Sequence, residues 1–145
     1  RGTIFRQTLF AEFEWQLHSW AEESIPLTPS LLNETYLKLN QEYYGPSFAA
    51  DPELAFEWAR IPHFYYDFYV YQYATGLSAA LELFNQANQS QTARSKYLQF
   101  LGAGGSRYPL DLLKIAGVDM TSPKPVESAL NHFRELIAEL RECLD

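Results

Sequence analysis

The stretch IPHFYYDFYVYQYATG, residues 61–76, decides how this chain is read. Between Pro62 and Tyr73 it packs two Phe, five Tyr and one His into about three helical turns. A hydrophobic core needs the rings and has no use for the hydroxyls. Each buried phenol must find a hydrogen-bond partner or lose stability. The stretch is therefore either a wet, aromatic-rich packing surface or a row of hydroxyls placed to donate to something.

Working outward, the spacing predicts helices throughout. Pro62 breaks the preceding helix, because its ring clashes with the turn before it and it donates no N–H. The aromatic segment then reads as one long helix to about Gln89. Upstream, Phe5, Leu9, Phe13, Leu17 and Trp20 recur every three or four residues and give one apolar stripe ending before Pro26. Thr28-Pro29 and Asp51-Pro52 each pair a cap with a proline at the first helical position, predicting helices over 31–44 and from Pro52 to near Arg60. Downstream, Thr92 to Leu101 is stopped by GAGGS (102–106), and Pro109 to Ala116 is closed by Gly117. The last helix starts near Pro123 or Pro125, with Val126, Leu130, Phe133, Ile137, Leu140 and Leu144 as its stripe. Alternating β-branched runs are absent. The reading is all-α, seven helices in a bundle-like layer, with residues 1–145 a single segment and no internal repeat or linker.

Composition narrows the function. The 145 residues suffice for one sizeable core, and a net charge of −7 with scattered Lys and Arg argues against nucleic acid and anionic membrane surfaces. No apolar run approaches the ~18 residues of a membrane span. The single cysteine, Cys143, excludes an internal disulfide and fits a reducing cytoplasm. It reads as a small apolar residue on the last helix. The chain opens RGTIFRQTLF without a starting Met and with apolar periodicity already running at Ile4, so it is expected to be a piece of a longer protein.

On one long helix, His63, Tyr66, Val70 and Tyr73 fall three, four and three residues apart and share a face. A tyrosine hydroxyl titrates at about 10, so at neutral pH it is an uncharged donor, and an imidazole donates from either nitrogen by tautomer. Such a row suits negative charge developing on a carbonyl oxygen. Composition alone favours the plainer reading, an aromatic core stripe whose hydroxyls bond main-chain carbonyls or water, since aromatics at helical spacing are usually packing.

Metal ligation finds little support. His63 and Asp67 sit at i and i+4, but nothing nearby supplies a third ligand. His18 has no partner and reads as a helix-face residue, and the NHFREL around His132 matches no ligand motif. Glu12, Glu14, Glu22 and Glu23 read as solvated faces of the first helix. GAGGS lacks the Lys-Ser/Thr of a phosphate cradle. It is either a flexible turn or a loop that lets a substrate backbone approach.

Four segments carry a resemblance: FRQTLFAEFE (5–14), NQEYYGP (40–46), EWARIPHFYYDFYVYQYATG (57–76) and GGSRYPLDLLKIAGVDMTSP (104–123). In that order they resemble the carboxy-terminal catalytic region of the oligoendopeptidase F family, which stands with thimet oligopeptidase among zinc metallopeptidases of HExxH type. The resemblance covers essentially the whole chain. It implies a bundle-like half of a zincin-type oligopeptidase domain, an oligopeptide substrate, and the remainder of the same catalytic domain as partner. It further implies one Zn2+ in the parent enzyme, held by HExxH and a later Glu. None of these ligands is in this sequence, so they are expected upstream and no metal is expected in the fragment.

The family's oxyanion-stabilising and substrate-binding residues correspond to Tyr66 and His63 as catalytic groups and to Tyr73 as a substrate-binding group. Gly104 and Gly105 of the Gly-rich loop are further substrate-binding candidates. One departure is visible: thimet-type members carry a Gly-Gly insertion between the His and the first Tyr, where this chain has only Phe64-Tyr65. A non-catalytic helical module that docks a peptide or partner is the alternative, and oligomeric state is not readable.

Overall fold

Prolines and caps start the helices much as their spacing predicts. In the computed structural model, which describes residues 1–144, no strand occurs among the described residues. The Thr28 hydroxyl accepts the Leu31 N–H at 3.3 Å and Pro29 opens helix α2, Pro29–Tyr44. Asp51 accepts the Glu53 N–H at 2.9 Å and opens a 3-10 helix, Pro52–Arg60. Helix α1, Gln7–Glu22, is entered through a π-helical turn, Gly2–Arg6. The chain divides into two compact units, Arg1–Ala74 and Thr75 onward.

In the first unit the core is Leu9, Phe10, Phe13, Leu32, Tyr36, Leu39, Ile61 and Val70. Rings meet edge-on: Phe13 lies 5.1 Å from Tyr36, and Phe64 lies 5.6 Å from Phe10 and 5.4 Å from Phe13. Tyr36 is the one fully buried phenol of this core, and its hydroxyl donates to Glu57 Oε2 at 2.7 Å. The other oxygen of Glu57 takes Arg6 at 2.6 Å and also Arg60. Glu57 therefore ties the Pro52–Arg60 helix to the π-helical turn that opens α1 and to α2, immediately ahead of residues 61–76. Burial by itself would raise the Glu57 carboxyl. The hydrogen bonds from Tyr36 and Arg6 and the charges of Arg6 and Arg60 outweigh it and hold the group below the ordinary carboxylate value.

Two expectations fail here. Residues 61–76 are not one helix: a 3-10 turn covers Pro62–Tyr65, and α-helix resumes only at α3, Tyr71–Gln89. Between them Asp67 (φ 52°) and Phe68 (φ 58°) adopt the left-handed conformation. Glu14 is not on a solvated face. It is 1% exposed and its Oε1 accepts the Phe68 N–H at 2.8 Å.

The second unit holds α3 from Thr75 on, α4 (Gln91–Ala103), α5 (Pro109–Ile115) and α6 (Lys124–Leu144). Ser90, rather than a residue nearer Thr92, caps α4 through the Ala93 N–H at 3.1 Å. Ala79, Leu83, Ala116 and Val118 form its core, with Tyr97, Phe100, Leu113 and Met120 packed around them. Gly117 closes α5 at φ +88°, where a Cβ would also meet Gln86 Oε1 at 3.0 Å. The α6 stripe is only partly covered. Ala129 is buried and Leu130, Phe133 and Ile137 half-buried, but Val126, Leu140 and Leu144 are exposed. Cys143 is exposed as well. Among the described residues no helix is long and apolar enough to cross a membrane.

Because the folded-state pKa of Glu57 is depressed, its stabilisation is present above the ordinary carboxylate range and is lost as pH falls through the folded value. Glu57→Gln is expected to lower stability at pH 7 by about 1–3 kcal/mol, the scale for charge-assisted hydrogen bonds. It is also expected to flatten the loss of stability between about pH 5 and pH 3. Thermal unfolding across that range checks both.

Candidate functional site

The alternation of burial along residues 61–76 builds the site. Ile61, Phe64 and Val70 turn inward: Ile61 and Val70 are buried in the first core and Phe64 packs against it. These anchors leave His63, Tyr65, Tyr66, Tyr69, Tyr71 and Tyr73 on the other side. His63 is half-buried, while Tyr66 is 58% and Tyr73 38% exposed. Val70, expected to share a face with the three polar groups, is fully buried. The left-handed turn rotates it away from them.

The turn nonetheless brings the predicted groups together. His63 meets Tyr66 edge-on at 5.8 Å between ring centroids and Tyr73 edge-on at 6.3 Å. A fourth member, which helical spacing did not find, sits among them. Tyr69 stacks on His63 at 5.7 Å with 17° between the rings, and it meets Tyr66 at 5.9 Å and Tyr73 at 5.5 Å. The Tyr73 hydroxyl donates to the Tyr69 hydroxyl at 3.3 Å. That bond, with some burial and the charge Tyr69 would carry, raises the Tyr73 pKa and keeps the phenol protonated. Edge-to-face and stacked aromatic contacts fix orientation at ~0.5–1.5 kcal/mol each, so the hydroxyls are held in place before anything binds. The result is an exposed cluster of one imidazole and three phenols, able to donate hydrogen bonds to a carbonyl oxygen and accept them from a peptide N–H.

Gly104 and Gly105 lie in the second unit, in the loop after α4. Gly104 has φ +52°, a conformation that favours glycine, and no atom lies within 4 Å of where a Cβ would stand on either residue. Gly104 lines an apolar groove of about 530 Å³ with Gly76, Ala79, Leu83, Phe100 and Leu112.

Among the described residues no group of three or more His, Cys, Asp or Glu gathers. Asp67, which a straight helix would bring beside His63, is carried by the turn to His18, with Nε2 and Oδ1 4.0 Å apart. His132 pairs only loosely with Glu135, 3.7 Å away along α6.

The model of peptidase family M3 matches residues 1–132, and this helical chain belongs to that family. Its relatives are oligoendopeptidases. It is 54% identical over 145 residues to oligopeptidase PepF of Bacillus subtilis, a match covering 99% of this chain and 22% of the relative. It is 49% identical over 146 residues to the chromosomal oligoendopeptidase F of Lactococcus lactis, covering all of this chain and 24% of that protein. The crystal structure of oligoendopeptidase-F from Enterococcus faecium superposes on 99% of this chain with a TM-score of 0.96 and 50% identity, over 28% of its own length. The chain thus spans about a quarter of the length of the relatives it matches.

Tyr69→Phe removes the acceptor of the Tyr73 hydroxyl. The Tyr73 pKa is expected to fall back toward the ordinary tyrosine value of 10.0. An NMR titration of tyrosine Cζ resonances reads this directly.

Proposed function

We propose that the whole protein is a zinc-dependent metalloendopeptidase that hydrolyses oligopeptides in the cytoplasm, and that this chain supplies the groups facing the scissile carbonyl. The observation that carries the reading is the exposed His63–Tyr66–Tyr69–Tyr73 cluster in a chain of peptidase family M3. Among the described residues no group of His, Cys, Asp or Glu gathers to hold zinc, so this reading assigns the metal to residues outside this chain.

In this reading Tyr66, the most exposed phenol of the cluster, donates to the oxygen that becomes negative as the peptide carbonyl turns tetrahedral. His63, held between Tyr66, Tyr69 and Tyr73, donates to or orients the same carbonyl. Tyr73, its proton directed at Tyr69, accepts a peptide N–H and fixes the substrate backbone. Gly104 and Gly105 let a peptide chain pass close to the loop after α4. The exposed Phe84, Leu98, Leu101 and Tyr108 are surfaces for the remainder of the catalytic domain, because large apolar side chains left bare mark an interface.

Donors of this kind contribute about a hundredfold to kcat, roughly 3 kcal/mol. Tyr66→Phe in the whole protein is expected to lower kcat by that factor with zinc content unchanged, measured on a quenched-fluorescence oligopeptide. A loss below threefold removes the role. Metal analysis of the 145-residue chain by itself is expected to find no stoichiometric zinc.

A further inference from the structure

Among the described residues Glu14 is the one charged side chain that is almost completely buried, and the proposed reaction makes no use of it. A carboxylate withdrawn from water needs hydrogen bonds in compensation. Glu14 takes one from an unusual place: its Oε1 accepts the N–H of Phe68, the second of two consecutive residues in the left-handed conformation. Asp tolerates that conformation, but a Phe there is strained and persists only where its surroundings enforce it.

The enforcement comes largely from α1. Four residues on from Glu14, on the same helix face, the His18 ring lies 4.2 Å from the Phe68 ring and its Nε2 lies 4.0 Å from Asp67 Oδ1. On the far side of the turn, Val70 is locked in the core.

What the turn achieves is the placing of Tyr69. On an uninterrupted helix Tyr69 would neighbour Tyr66 and Tyr73, three and four residues away, but six residues would carry it about 240° round from His63. With the left-handed turn in place Tyr69 stacks on His63, with 5.7 Å between ring centroids. We propose that Glu14 is a positioning residue for the donor cluster: its buried carboxylate holds the Asp67–Phe68 turn and thereby sets where His63, Tyr66, Tyr69 and Tyr73 stand relative to one another. The inference rests on the reading of that cluster as the carbonyl-facing site.

The test uses the whole protein with four replacements. Glu14→Gln keeps an oxygen that accepts the Phe68 N–H, so kcat is expected to stay within threefold of the parent. Glu14→Met fills the space without an acceptor, and Glu14→Asp keeps the charge but withdraws it by one methylene. Both are expected to lower kcat on the order of tenfold or more. Because Asp needs no apolar substitution in the core, it decides the matter should the Met variant not fold. Adding Phe68→Gly to Glu14→Met is expected to recover much of the loss, since glycine adopts φ near +58° without an anchor.

A readout independent of turnover accompanies these. In the Met and Asp variants the stacking of Tyr69 on His63 is expected to be lost, read as a change in the NMR shift of the His63 ring protons, and in the Gln variant it is retained. Tyr66→Phe separates the two claims. If it costs its hundredfold while Met and Asp leave kcat and the His63 ring shifts unchanged, the positioning role is overturned and the catalytic reading stands. A Gln variant as impaired as the Met variant overturns the anchor in favour of a need for charge. If Tyr66→Phe is silent but the His63 ring shifts move in Met and Asp, the anchor stands and the catalytic reading falls.

Discussion

Two successive left-handed residues, Asp67 and Phe68, separate the 3-10 turn that carries His63 from the start of α3 that carries Tyr73. Such a pair is costly for L-residues, above all for a Phe, and local preference would remove it. It survives because three things act on it at once: the Glu14 carboxylate on the Phe68 amide, the His18 ring on the Phe68 ring, and Val70 sealed in the core just beyond. Strain held in this way is a recurring property of sites where geometry must not relax. Here it converts what would be a single amphipathic helix into a short 3-10 turn, a reversal and the start of α3.

The phenols of the first unit fall into two classes with different physics. Tyr36 is sealed inside, and its hydroxyl answers to Glu57, as burial requires. That carboxylate also gathers Arg6 and Arg60, so a single half-buried acceptor joins the π-helical entry to α1, helix α2 and the Pro52–Arg60 helix. Tyr66, Tyr69 and Tyr73 are exposed, and their rings brace one another and His63 while the hydroxyls stay near the surface. Rings that contact one another on an open surface need little from the core. This is why the stretch can carry so many tyrosines without burying unsatisfied oxygens.

Membership of peptidase family M3 gives this cluster its context, and the span of the match gives another fact its meaning. The chain corresponds to about a quarter of its relatives, and apolar side chains such as Trp15, Phe84, Leu101, Tyr108 and Leu144 are left uncovered. Large apolar side chains left bare in this way mark an interaction surface. The α6 stripe, clear in the sequence, is likewise only half buried.

From the sequence by itself came the all-helical class, most helix starts, and the trio His63, Tyr66 and Tyr73. Prolines, caps and apolar spacing act within a few residues, and the local code is sufficient for what they specify. Thr28-Pro29, Asp51-Pro52 and Gly117 all act where they were expected. The tertiary structure decided the rest: the break at 67–68, the inward turn of Val70, the arrival of Tyr69 beside His63, and the burial of Glu14. Each of these depends on groups 50 or so residues apart in the chain, as the Glu14–Phe68 bond shows, and no helical periodicity records such a contact. A carboxylate that looks solvated from its neighbours in sequence becomes an anchor only once another segment is laid across it.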